Sequence, residues 1–147
     1  MTGLWKTWMR VWCWATAAVG AILALGAFPA TDFAARIYYD VAYWPIDGVG
    51  LTDDARFTAG VLGAVMIGWA VTIFALIGAA ERAGASAWRG LTTAMLVWFA
   101  VDSTISVASG VPMNAVANAG FLVTYLIPVI ASGVLRQATP PLQPRAA

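Results

Sequence analysis

The chain has 147 residues, 61% of them hydrophobic and only 10% charged, with a formal net charge of +1. Soluble domains are roughly 45–50% apolar and about 25% charged, so this chain lacks the polar residues to cover a water-facing surface. It has no histidine and a single cysteine, Cys13, which excludes histidine-held haem, most zinc and copper sites, and a dithiol relay.

No basic run points to nucleic acid, and no glycine-rich phosphate loop or Gly-x-Ser-x-Gly elbow points to a familiar enzyme. No metal and no cofactor are expected. A lone Cys13 in an apolar run reads as a small packing residue.

A bilayer core about 30 Å thick takes roughly 20 apolar helical residues to cross. The first such segment is 11–28. It follows Lys6, Arg10 and the tryptophans Trp5, Trp8, Trp12 and Trp14, a mixture that marks the headgroup level. Thr16, Gly20 and Ala24 recur at helical spacing and suit close packing. A cleaved signal peptide is the rival reading, but the stretch is long for one and opens with bulky tryptophans.

Residues 31–44 follow, too short and too charged to span. Phe33, Ile37, Val41 and Trp44 fall on one helical face, and Asp32, Arg36 and Asp40 form a second, charged stripe with Asp32 placed to pair with Arg36. Thr31 is expected to cap the helix and Pro45 to stop it. The segment reads as an amphipathic helix lying on the outer membrane face; the alternatives are a cap that buries the same stripe over the bundle, or a lid over a cavity.

The second span, 57–80, has no charged residue. Its Ala59, Gly60, Gly63, Ala64 and Gly68 read as a helix-packing face, because lipid gives little hydrophobic push between helices. The third, 91–109, is interrupted only by Asp102. The fourth, 113–135, carries Pro128, which cannot donate to the Thr124 carbonyl and should bend the helix. Residues 139–147 read as a disordered tail.

Basic residues set the expected orientation. Lys6, Arg10, Arg82, Arg89, Arg136 and Arg145 fall on one side, and only Arg36 and Arg56 on the other, with five aspartates. The positive-inside rule puts both termini in the cytosol.

Asp102 is the residue that asks for an explanation. It stands roughly 10 Å inside the third span, where a carboxylate costs several kcal/mol unless paired or protonated. Ser106 and Ser109 continue its face, and Asn114, Asn118 and Tyr125 share a face of the next helix. The turn at Gly110–Pro112 makes the two helices a hairpin, with Asp102 near the level of Asn118 and Gly120. The resulting polar seam has three readings. It is a structural clamp, with Asp102 protonated or paired to Arg56. Or it is a site for a small polar or amphipathic ligand, lined by Asp102, Asn118, Tyr125, Trp98, Ser106 and Arg56. Proton or ion movement is the weakest reading, since no second acid lies within a span to continue a relay. Trp69 and Trp98, near the middle of their helices, either line a cavity or fill the bundle.

Two strings carry a resemblance. Arg56-Phe-Thr-Ala-Gly60-Val-Leu-Gly63, continuing to Gly68, and Asp102-Ser-Thr through Ser106-Val-Ala-Ser-Gly110-Val-Pro112 resemble helices of small four-helix bacterial membrane proteins, with DoxX-like proteins as neighbours. The resemblance implies a four-helix fold in a bacterial inner membrane and supplies no catalytic residue. The reading is therefore an all-α bundle of four membrane spans with a short amphipathic outer helix. Its expected partners are the lipid bilayer and either itself or a larger membrane complex. The favoured role is a non-enzymatic component of such an assembly. The alternative is binding or transport of a small molecule in an outward-facing pocket around Asp102. An enzyme acting on a lipid or quinone would rest on one acid and a tyrosine alone.

Overall fold

The computed structural model describes residues 1–44 and 50–136. Among them are five α-helices and no strand: α1 (Gly3–Leu25), α2 (Phe33–Tyr43), α3 (Asp53–Ala83), α4 (Ala85–Ala108) and α5 (Pro112–Ala131), then a 3-10 turn at Val134–Arg136. All but α2 are long and apolar enough to cross a membrane. The protein is an all-α, multi-pass membrane protein built on four spans. The expected helix stop at Pro45 and the 139–147 tail lie outside the described residues.

Helix ends follow local chemistry. Thr52 accepts the Ala55 N–H at 3.2 Å and caps α3, whose first turn carries Asp53 and Asp54 at the favourable end of the helix dipole. With 31 residues, α3 is about 45 Å long and outreaches the hydrocarbon core. Gly84, at φ 77°, ends α3 and starts α4. The α4–α5 turn is a Schellman closure. The Val111 N–H reaches the Ser106 carbonyl at 2.8 Å, the Gly110 N–H reaches Val107 at 3.1 Å, and Gly110 takes φ 76°. Pro112 then opens α5, where its missing N–H costs nothing.

The first span starts earlier than hydropathy suggests, because its basic residues find partners. Lys6 Nζ lies 2.6 Å from the Glu81 carboxylate, which also sits 3.7 Å from the N-terminal amine. Arg89 donates twice to the Leu135 carbonyl, at 3.1 and 2.9 Å. The start of α1, the α3–α4 junction and the 3-10 turn thus share one end of the bundle, and α2 and the α4–α5 turn share the other.

α1 and α3 make the closest helix pair. A Cβ at Gly63 would overlap the Ala24 nitrogen and the Gly20 carbonyl oxygen, and one at Gly20 would stand 2.8 Å from the Gly63 carbonyl oxygen. Gly60 faces the Ala27 methyl. Gly68 does not belong to this contact, since a Cβ there would meet nothing. The buried α3 face runs through Ala59, Gly63, Ala70, Ile73, Ile77 and Ala80, and five residues beyond Gly63 the helix has turned about 140° away from it.

The tryptophans of α1 also depart from a simple headgroup role. Trp12 is buried and its indole donates to the Phe121 carbonyl at 3.1 Å, while Trp8 donates to Thr124 at 3.0 Å. Both tie α1 to α5. Trp12, Met9, Trp88, Met95, Tyr125 and Val129 fill the core toward the end that carries Met1.

One expectation for α2 needs correction. Thr31 does not cap it: its hydroxyl donates back to the Leu25 carbonyl at 2.7 Å, closing α1 instead. The N-cap position belongs to Asp32. The apolar stripe is not folded over the bundle, which speaks against the cap alternative. Phe33, Ile37, Val41 and Trp44 are all more than half exposed, and the face turned inward is Ala35, Tyr38 and Ala42. Small alanines allow α2 to approach α1 and α5, leaving the greasy stripe free for lipid.

Candidate functional site

Four helices contribute side chains at regular spacing to one cleft. α3 offers Leu62, Val65, Met66 and Trp69; α4 offers Ala94, Trp98 and Asp102; α5 offers Asn114, Asn118 and Phe121; and α2 lowers Tyr38 onto it. Each set repeats at three to four residues, the period that aligns side chains on one helix face. They line a half-open cavity of about 480 Å³, with Leu62, Val65 and Ala94 exposed at its mouth, within the range that holds a small organic ligand. One end is polar and the other aromatic.

The polar end is a connected network. Asp102 Oδ1 accepts from Asn114 Nδ2 at 3.0 Å and from Ser106 Oγ at 3.1 Å. Asn114 Nδ2 also lies 2.8 Å from Ser106 Oγ, and the Tyr38 hydroxyl donates to Asn114 Oδ1 at 3.3 Å. Asn118, nearly buried, donates to Ser103 Oγ at 3.4 Å. Burial, and secondarily the charge of Asp102, raise the Tyr38 phenol above its ordinary pKa, so it stays a proton donor. The Schellman turn fixes this arrangement, because it sets which α5 residues face Ser106 and Asp102.

The aromatic end is the tilted pair Trp69–Trp98, with ring centroids 5.2 Å apart. Trp12 meets Trp69 edge-on at 5.8 Å from below, and Tyr125 at 5.5 Å.

Of the residues picked out in the sequence, Asp102, Asn118, Ser106 and Trp98 stand together here. Two do not. Tyr125 is fully buried beneath the cavity, its hydroxyl 3.4 Å from Thr92 Oγ1. Arg56 is committed elsewhere: its Nη1 lies 2.6 Å from Asp32 Oδ2, which also binds Arg36 at 2.7 Å. The hydrogen bond from Arg36 first, then that from Arg56, holds the Asp32 carboxyl below its usual range against the opposing effect of burial. The level expected for Asp102 needs one refinement. Asn118 reaches its neighbour Ser103, whereas the Asp102 carboxylate folds back along α4 toward Ser106 and so meets Asn114, one turn nearer the hairpin.

Tyr38 lines this candidate site and was not among the residues picked out in the sequence. Its signal was the Ala35–Tyr38–Ala42 stripe, a small–large–small face on α2 opposite the apolar one. A second, smaller cavity of about 250 Å³ lies on the other side of Tyr38 and Asn114, toward the α2 end, lined by Tyr39, Tyr43 and Ser109. The Tyr38–Asn114 pair is the partition between the two.

No group of His, Cys, Asp or Glu among the described residues could hold a metal ion. No protein-family model matches the chain, no curated protein is similar to it in sequence, and no solved structure matches its fold.

Proposed function

We propose that the protein binds a small amphipathic molecule within the membrane, with the polar head at Asp102 and Asn118 and the apolar body against Trp69, Trp98 and Phe121. The observation that carries this is the cavity itself. A clamp that merely held α4 to α5 would bury its carboxylate among donors, but Asp102 spends one oxygen on Ser106 and Asn114 while the side chain still lines open space. An intramembrane carboxylate beside a cavity is a functional feature by default.

The uneven distribution of basic residues supports an inner-membrane orientation with the Glu81–Arg89 junction and both termini in the cytosol. The Asp102 end would then open toward the outer leaflet, and binding or transfer from that side, rather than catalysis, is the role the wall chemistry favours. Gentle extraction followed by native mass spectrometry tests the reading. Wild-type protein should carry a bound small molecule that Asp102→Asn loses while keeping its fold. A wild-type protein that carries nothing but bulk lipid, indistinguishable from the variant, would refute it.

A further inference from the structure

The donors and acceptors of the polar end are unevenly spent, and this specifies the head group. Ser106 Oγ and Asn114 Nδ2 both donate to Asp102 Oδ1, the Tyr38 hydroxyl donates to Asn114 Oδ1, and Asn118 Nδ2 donates to Ser103. Around Asp102 the hydroxyl and Asn114 amide donors are thus turned on the wall itself. At Asp102 what remains is acceptor, since its Oδ2 accepts no hydrogen bond from the described residues, while Asn118 keeps its amide oxygen and one N–H unspent and the Trp69 and Trp98 indole N–H groups stand farther along the wall. No Lys or Arg lines the cavity among those residues, so Asp102 is its one charged side chain. One helical turn from Asp102, Trp98 leans on Trp69 and offers a quadrupolar face that attracts cations.

Resting on the binding role proposed above, we infer that the ligand is a primary amine with an apolar body, held as an ammonium. Its N–H donors can reach the free Asp102 Oδ2 and the Asn118 amide oxygen, and its positive charge matches the single acid. A carboxylate or phosphate head would meet an acid with no base to offset it, and an alcohol brings one donor and no charge.

Decylamine, decanol and decanoate, radiolabelled, separate these outcomes by equilibrium binding to the protein in phosphatidylcholine nanodiscs near neutral pH, with empty discs subtracted. Wild type should bind decylamine saturably and about tenfold or more tighter than decanol, because a charge-assisted hydrogen bond is roughly twice as strong as a neutral one. Decanoate should bind weakest. Asp102→Asn should erase the preference for the amine, and Asp102→Glu should restore most of it. Decanol or decanoate binding as tightly as the amine to wild type would overturn the amine assignment while leaving the cavity's binding role intact. Absence of saturable binding by all three would overturn both. The comparison within wild type stands even if a variant does not fold.

Discussion

The indole N–H of Trp8 donates to the carbonyl of Thr124 at 3.0 Å, the acceptor that Pro128, four residues on, leaves without its usual amide donor. The proline opens a backbone acceptor in α5, and α1 fills it. Trp8→Phe keeps the ring and loses the donor, so it should cost about 0.6–1.7 kcal/mol in detergent, the scale of a hydrogen bond between membrane helices. In a Pro128→Ala background the helix regains its own donor to Thr124, and Trp8→Phe should cost less. A double-mutant cycle on thermal unfolding measures the difference. Full additivity would mean the two residues are not coupled.

Gly63 and Gly68 should behave oppositely. Gly63→Ala forces a methyl into the backbone of Ala24 and Gly20, where nothing flexible can yield, and a loss of about 1–3 kcal/mol is expected for such overpacking. Gly68→Ala meets open space and should be neutral or stabilising by up to about 1 kcal/mol, the helix-propensity gain of alanine. Equal effects in the same unfolding assay would contradict the α1–α3 crossing described here.

The four spans were legible because each is an apolar run bounded by charge or by Gly and Pro, and the bilayer sets its length. The α4–α5 hairpin was legible from Gly110–Pro112, and with it the Asp102 face. Arg56 was misplaced because an arginine near an intramembrane acid suggests a pair, whereas the turn after α1 brings Asp32 back against α3, a fold no spacing reveals. Tyr125 shares the asparagine face in sequence, but α5 runs deep enough to carry it below the cavity into the Trp12 cluster. Tyr38 was not legible because only the packing of Ala35 and Ala42 against α1 and α5 decides which face of α2 turns inward.

Asp32 makes the stability of the α2 end depend on pH. Its folded pKa is lowered by Arg36 and Arg56, so the stability it supplies is complete above the ordinary carboxylate pKa of about 3.9 and lost as pH falls through the depressed value. Thermal midpoints in a non-ionic detergent should fall more steeply below about pH 4 for wild type than for Asp32→Asn. Arg56→Gln, which removes a mostly buried partner of Asp32, should hurt more than Arg36→Gln, which removes a half-exposed one. Parallel pH curves for wild type and Asp32→Asn would contradict this.

The proposed orientation predicts which cysteines an impermeant thiol reagent reaches in intact cells. Gly50→Cys and Ser86→Cys lie at opposite ends of α3, both exposed, and native Cys13 is buried. Gly50→Cys should label from outside and Ser86→Cys only after the membrane is opened. The reverse pattern would invert the protein and turn the Asp102 end toward the cytosol.

If the space between α3, α4 and α5 is a binding cavity rather than an accident of packing, filling it must expel the ligand. Ala94 lines it, and Ala94→Trp fills it without touching the Asp102 network. Retention of the co-purifying small molecule is to be measured by native mass spectrometry on wild type and Ala94→Trp prepared side by side. The variant should keep the wild-type thermal midpoint or exceed it and yet carry no ligand. A variant that stays folded and retains the same ligand at wild-type occupancy would contradict the claim.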